Sequence, residues 1–574
     1  MFAVGAAVGF VIPAVLAFRW TLARDWEYFS ALSFFVRSAW STTHRLPVHD
    51  PMICGGVNVL ANPQNRLFSP LAIFDLILPA TWANLAGLVL YGFLGQWGAY
   101  RLFQRFGVSP RWALIGSFLW INSNWFGLHF AEGHVAFGSM QLLPWVFLAT
   151  LALPDPRWIL TLALLLAVFL LDGGVYTAIF SLLLVATVIV TFRAREIVAW
   201  AATPARWLIG AAIFGLVSLP KTWPVLSEHP DRVPELDHHA YTATEVARFL
   251  FFPLNQIRPN HEYACYIGLV LPAWLFVRWW REGRGPAAGA ARSAETPTRA
   301  LLLAAAFWFF AASGWLPQIN PWNAVFQKLP LLNNAHLQAR TLLLFFLFLL
   351  VAVVTRASVA DRRRPMTRLI VAVMIAEGLL VKSFPFVKQI ELPKGPATGF
   401  EVASMAGPRT TIETWPGKSQ TPVFYREGRA TLKRCYEPAI DSDRLPIRSA
   451  SDPSYRGEAY ILDSAAGAAD VLSYTPGRLR VSYRDIQPDQ TSRLQVNTND
   501  LGYWTITSGD ARVVSSRDQL LTLELPARIG TGRTTVIELE FDPPYVRRVV
   551  VACLLGLALA GAWGFGLWLD RKRS

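Results

Sequence analysis

The chain has 574 residues, of which 53% are hydrophobic and only 16% charged, with 23 Trp and 37 Phe. Soluble domains are about one quarter charged. The composition therefore excludes an ordinary soluble globular protein and indicates a polytopic membrane protein, with several windows of the roughly 20 apolar residues that cross a hydrocarbon core. The formal net charge of +14 does not point to nucleic acid, because the basic residues gather in short turns between apolar segments, the distribution that the positive-inside rule produces.

Residues 2–18 lack a basic leader and a small-residue cleavage site, so they read as a retained first helix (about 2–19) rather than a signal peptide. The stretch Asp25 to Pro70 follows as a long polar loop. Further spans are expected at about 82–100, 112–128 and 135–153. Two more share 157–192, broken at LDGG, where Asp172 and two glycines interrupt the apolar run. A seventh (about 205–221) leads into a second polar loop, 222–262; an eighth (about 264–280) ends in RWWREGRG and an Ala/Gly/Ser-rich linker expected to be flexible. Spans at about 300–314, 341–355, 369–384 and 546–569 complete a count of about twelve. With both termini inside, nearly every Arg cluster falls on one face and the acidic and His-rich loops on the other.

Residues 389–545 differ. Alternating runs such as RLRVSY (478–483), YWTIT (503–507), LLTLEL (520–525) and TVIELEF (535–541) are separated by turn residues. Period-two patterning of this kind indicates an antiparallel, sandwich-like β domain outside the membrane. The expected organisation is thus a helical membrane domain over 1–388 with extracytoplasmic loops 20–70 and 222–262, the β-rich domain, and a last helix with a basic tail over 546–574.

The polar residues suggest where chemistry would sit. Asp25, with Glu27 close by, lies just beyond the first helix, where a carboxylate near lipid costs free energy unless it is wet or partnered. It is either functional, a solvated helix end, or a partner for Arg24. Gly55-Gly56 permits positive φ and Asn62-Pro63 is a turn. His49-Asp50 reads as an oriented imidazole, a metal ligand or an interfacial pair. Glu132 and His134, with His238 and His239, have side chains suited to Zn, Mn or Mg, alongside Asp25, yet no compact pattern such as HExxH appears. Arg340 is either a headgroup anchor or a phosphate grip. Asp172 is expected to be wet, and Glu377 to cap an interhelical contact. Cys54 and Cys265 would share the outer face, which allows a disulfide; the four cysteines show no CxxC pair.

Together these segments resemble the GT-C superfamily of polyprenyl-phosphate-sugar-dependent glycosyltransferases, and within it the bacterial YfhO-like membrane proteins. RDWEYF and RLPVHDPMICGGVNVLANPQNRLFSPL are similar to the family's acidic first loop, with His49 in place of an aromatic residue and Val57-Asn58 in place of a Gly-Gly-x-Pro ending. GHVAFGSMQLLPW (133–145) resembles its Gly-His…Pro-Trp helix, and HLQAR (336–340) its Arg-x-Pro-x-Arg segment, with only Arg340 retained. NTNDLGYWTITSGDARVV and IELEFDPPYVRR resemble the closing β domain.

The resemblance implies a bacterial plasma-membrane enzyme moving a hexosyl or pentosyl group from a polyprenyl-phosphate donor to a cell-envelope glycan, lipid or protein. Asp25 would be the catalytic base, Arg340 with His336 would hold the donor phosphate, and Glu27, Glu132, His134, His238 and His239 would serve the acceptor or a divalent metal. Rival readings are a flippase for lipid-linked glycan and a non-catalytic envelope assembly protein.

Overall fold

A computed structural model describes residues 25–197, 200, 203–228, 244, 288–328, 338–360, 410–412, 430–432, 446–463, 467–484, 491–515, 519–527 and 534–573. The expected helices at about 2–19, 264–280 and 369–384, and residues His238, His239, His336 and Glu377, lie outside these. Among the described residues, Val175–Glu196, Pro204–Glu228, Ala339–Ser358 and Val546–Lys572 are long and apolar enough to cross a membrane, against about twelve expected spans.

The stretch expected to open as a loop is helical. Helix α1 (Asp25–Thr43) buries Trp26, Tyr28, Phe29, Phe34, Phe35 and Val36, residues that point to almost every side of a helical wheel. A helix apolar nearly all round is enclosed by protein rather than laid on a surface. Its polar loop begins only at His44. Strands β1 (His49–Asp50) and β2 (Val57–Asn58) pair antiparallel there, followed by α2 (Ala72–Ile77) and α3 (Ala80–Arg105).

The third and fourth expected spans are each interrupted. Helix α4 (Pro110–Ile121) stops where Asn122 turns its amide back onto the Phe118 carbonyl (3.0 Å), and α5 (Asn124–Glu132) stops at Gly133, whose φ of +98° ends the helix in left-handed backbone. Residues Val135–Leu142 then form 3-10 helix before α6 (Leu143–Leu151). Helices α7 (Pro156–Leu171) and α8 (Val175–Val188) break at LDGG as expected. Asp172 is not wet: it is buried and accepts a 2.7 Å hydrogen bond from Ser69 Oγ. Gly173 (φ +75°) lies so close to the Gln64 backbone that a Cβ would meet its carbonyl oxygen at 2.4 Å.

Helix α9 (Pro204–Glu228) packs against α7 and the final helix. The Ala-rich stretch expected to be a flexible linker is helical from Ala288, as part of α10 (Ala288–Ala312); alanine is the strongest intrinsic helix former. The short α11 (Pro321–Ala324) and α12 (Leu342–Ala360) follow, and α12 packs along α10.

Strands β3 (Thr410–Ile412) and β4 (Ala430–Leu432) pair parallel. Strands β5 (Ala459–Ile461), β6 (Ala468–Thr475), β7 (Arg478–Arg484), β8 (Ser492–Asn499), β9 (Trp504–Ser508), β10 (Arg512–Val514), β11 (Leu520–Leu525) and β12 (Thr535–Phe541) form two four-stranded antiparallel sheets. Their orders are β10-β11-β8-β5 and β6-β7-β12-β9. Leu494, Leu521 and Leu523 from one sheet and Leu479, Val481 and Ile537 from the other share a single core, which makes the unit a sandwich. All four alternating runs read from the sequence are strands. The chain leaves β12 into α13 (Val546–Arg573).

The loop after α1 joins this sandwich to the helices. Gly55 (φ +73°) and Gly56 (φ +95°) turn the chain so that its carbonyls meet β8. The Gly55 carbonyl accepts from the Asn499 amide N–H (2.9 Å) and from Thr498 Oγ1 (2.6 Å), while Asn499 Nδ2 donates to the Cys54 (2.6 Å) and Gly56 (3.0 Å) carbonyls. His49 is buried among Tyr474, Trp504 and Phe541, at ring separations of 5.8, 5.0 and 4.6 Å. Asp50 is buried and caps the Met52 N–H (2.8 Å). Of the three readings of His49-Asp50, the interfacial pair is the one this geometry matches. Cys54 is disulfide-bonded to a cysteine outside the described residues.

A Cβ on Gly56 would fall 2.8 Å from both His49 Nε2 and Tyr474 Oη, in backbone that disfavours one. Gly56→Ala is therefore expected to destabilise the protein by about 1–3 kcal/mol and to hasten proteolysis within residues 44–70. An unchanged melting midpoint and unchanged cleavage would contradict this packing.

Candidate functional site

The first turn of α1 is fixed in place by two hydrogen bonds. Trp26 Nε1 donates to the Phe130 carbonyl near the end of α5 (2.7 Å), and Asn62 Nδ2 donates to Tyr28 Oη (2.8 Å). Asp25 and Glu27 thus belong to a helical turn docked beside the segment that carries Glu132. The side chains of Asp25, Glu27 and Glu132 are outside the described residues.

Beyond Glu132 the left-handed Gly133 folds the chain back. The His134 N–H donates to the His129 carbonyl (2.9 Å), and this tight turn brings His134 Nδ1 to 2.8 Å from His129 Nδ1. One of the two nitrogens must carry the proton of that bond. His129 is fully buried, its ring 4.0 Å from that of Trp125 and 5.0 Å from that of Phe137; His134 is half-buried and also 5.0 Å from Phe137.

Phe137 also faces Arg340. The guanidinium carbon lies 5.0 Å from the Phe137 ring centroid and 4.9 Å from that of Tyr176. Arg340 sits in a 3-10 turn (Ala339–Thr341) at the head of α12 and is only 7% exposed. Its turn is fastened by Gln338, whose Nε2 donates to the Ala311 (3.2 Å) and Ser313 (3.0 Å) carbonyls at the end of α10. A guanidinium held over aromatic faces and shielded from water is a stronger ligand for a carboxylate or phosphate than one in bulk solvent.

Of the residues singled out in the sequence, then, Arg340, His134 and the turn bearing Asp25 and Glu27 come to one neighbourhood, centred on Phe130 to Phe137. His238, His239 and His336 are outside the described residues. Among the described residues, no group of three or more His, Cys, Asp or Glu is placed to hold a metal ion. His129, Trp26 and Tyr176 escaped the sequence reading. The signal for His129 was its place five residues before His134, with a glycine between them able to reverse the chain.

A second polar cluster lies where the sandwich meets the helices. Glu228, the last residue of α9, accepts from Tyr545 Oη (2.7 Å) and from Asn58 Nδ2, and Asn58 Nδ2 also reaches Tyr545 Oη. Burial and the neighbouring Glu228 carboxylate push the Tyr503 phenol up to about 12 and raise that of Tyr545 further. Both tyrosines therefore stay protonated donors at neutral pH.

No known sequence family and no curated protein matches the chain. Two solved structures resemble it, both cryo-EM structures of the arabinofuranosyltransferase AftD from Mycobacteria, one of them a mutant. The first has a TM-score of 0.43 and 15% identity over 94% of this chain and 40% of that one; the second has 0.42 and 16% over 94% and 41%. The chain thus spans about two fifths of the length of those structures. At that level of similarity neither activity nor substrate carries over.

Tyr545→Phe removes a donor from the Glu228 carboxylate while keeping the ring, and is expected to cost about 1–3 kcal/mol. The loss would appear as a lower melting midpoint of the detergent-solubilised protein. A midpoint equal to wild type would show that the cluster does not hold the junction.

Proposed function

We propose that the chain is a membrane glycosyltransferase of the GT-C kind, transferring a sugar from a polyprenyl-phosphate donor to a cell-envelope glycan, lipid or protein with inversion at the anomeric carbon. In this reading the loops and the sandwich face the extracytoplasmic side of a bacterial plasma membrane and both termini face the cytoplasm. The observation that carries it is the convergence on Phe137 and Phe130 of a desolvated guanidinium, a half-buried imidazole and the helix turn that bears Asp25.

These groups suit the reaction. The acceptor hydroxyl must lose its proton as its oxygen bonds to the anomeric carbon, and a carboxylate within hydrogen-bond reach takes that proton. Asp25 has this role. As the bond from the anomeric carbon to the phosphate oxygen breaks, the lipid phosphate gains negative charge. Arg340, already oriented by Phe137 and Tyr176, stabilises that charge without reorganising water. His134, held by its hydrogen bond with His129, lines the acceptor side together with Glu132.

The test is transfer from radiolabelled polyprenyl-phosphate sugars to a panel of envelope acceptors by the purified protein. Asp25→Asn is expected to lower turnover by about 10²–10⁴-fold with folding intact; transfer equal to wild type removes Asp25 from the mechanism. Arg340→Gln is expected to lower kcat by about 10²–10³-fold, and an effect on stability alone would assign Arg340 to structure. Movement of labelled lipid across vesicles without any transfer would favour a flippase.

A further inference from the structure

One buried carboxylate has no part in the chemistry above, yet it stands between the loop after α1 and the rings around Arg340. Asp172 lies in the turn between α7 and α8, outside both helices. On the near side its Oδ1 accepts from Ser69 Oγ (2.7 Å), and the neighbouring Gly173 packs onto the Gln64 backbone. On the far side the turn enters α8 through Gly174, where a Cβ would meet Ser139 Oγ at 2.7 Å. Ser139 Oγ in turn shares a 2.9 Å hydrogen bond with Thr177 Oγ1, and Ser139 belongs to the 3-10 segment that carries Phe137. Tyr176, in the first turn of α8, thus meets Phe137 edge-on at 5.6 Å and lies 4.9 Å from the Arg340 guanidinium carbon. The turn at Asp172 therefore fixes one of the two rings that flank Arg340.

The charges around Asp172 do not balance when it is ionised. Arg66, from the loop, grips Asp75 of α2 with two nitrogens: Nε donates to Asp75 Oδ2 (2.8 Å) and Nη2 to Asp75 Oδ1, while Nη2 also reaches Ser33 of α1 (3.1 Å). Tyr91 of α3 faces Asp172 with its hydroxyl. From α9, the Lys221 ammonium is directed at the Asn62 and Asn65 carbonyls. Asp75 and Asp172 thus share one guanidinium, and all three groups are buried. Two carboxylates beside one cation, away from water, favour a proton on the carboxylate that the cation does not grip. Burial accordingly pushes the Asp172 carboxyl from the ordinary 3.8 up to about 7. Between those values the folded chain holds a proton that the unfolded chain has lost. The contribution of Asp172 to stability is therefore full below 3.8 and is lost as pH rises through about 7.

We propose that Asp172 is a positioning residue for the cluster of Phe137, Tyr176 and Arg340, and that its protonated form is the one that holds the turn. Once ionised, the carboxylate competes with Asp75 for Arg66, and the turn that carries Tyr176 loosens from the loop. The consequence for turnover rests on the transferase reading; the protonation and the loosening do not.

The experiment titrates the full chain in phosphatidylcholine nanodiscs. Infrared spectra are expected to show the C=O stretch of a protonated carboxyl that fades with a midpoint of about 7 and is absent from Asp172→Asn. Amide exchange over residues 173–177, corrected for its intrinsic pH dependence, is expected to quicken by about tenfold per pH unit up to that midpoint and to level off above it. In Asp172→Asn, which mimics the protonated form, exchange there should stay slow at every pH; in Asp172→Ala it should be fast at every pH. Ser69→Ala keeps the carboxyl and is expected to move the midpoint upward, because the lost donor favoured the ionised form. A missing band, a midpoint unmoved in Ser69→Ala, or Asn exchanging as fast as Ala would overturn the proposal. For transfer, kcat and not KM is expected to fall as pH rises through about 7 in the wild type and to stay flat there in Asp172→Asn. The titration and exchange behaviour without any transfer would sink the transferase reading and leave Asp172 standing; transfer with the same pH profile in Asp172→Asn would do the reverse.

Discussion

The structure depends on how the loop between α1 and α2 satisfies its own backbone. This segment is buried over most of its length, and buried carbonyl and amide groups must find partners. It finds them from three directions. Strand β8 donates to Cys54, Gly55 and Gly56 from Thr498 and Asn499. The buried Lys221 ammonium, from α9, donates to the Asn62 (2.8 Å) and Asn65 carbonyls. Asn62 and Asn65 close their own turns onto the N–H groups of Gln64 and Leu67 (2.7 and 2.6 Å). One loop thereby joins α1, α9 and the sandwich. Its far end is held by Arg66, which pairs with Asp75 and reaches Ser33 of α1 (3.1 Å).

That arrangement explains why the loop looked so chemically loaded. Most of its polar residues build architecture: His49 fills an aromatic pocket of the sandwich, Asp50 caps a turn, and the asparagines fold the chain. What the loop supplies to the candidate site is position. By holding Tyr28 through Asn62, it fixes the register of α1 and therefore the place of its first turn beside Phe130. The site then assembles from elements far apart in sequence, α1, the turn after α5 and the head of α12, each delivered by a separate buried hydrogen bond.

Strands of the sandwich were legible because alternation of apolar and polar residues has only one structural reading at that spacing. The break at LDGG was legible because two glycines after an acidic residue do not continue an apolar helix. Helix α1 was missed because Asp25, Glu27, Arg37 and four serines make its sequence look like a loop; the tertiary enclosure that makes it a buried helix is invisible in the local pattern. Asp172 was misread as wet because its partner Ser69 lies about a hundred residues away. Arg340 and His134 could be singled out by residue type, whereas their meeting on Phe137, and the role of His129, required the fold.

In the proposed function, Arg340, His134 and the first turn of α1 surround a lipid-linked phosphate. An experimental structure of the full chain bound to a polyprenyl monophosphate tests it most directly. Phosphate density is expected in contact with Arg340 beside Phe137, with the Asp25 carboxylate within one sugar's length of the phosphorus. Phosphate bound elsewhere, or Asp25 locked in a buried ion pair facing away from it, would rule out this role for the two residues.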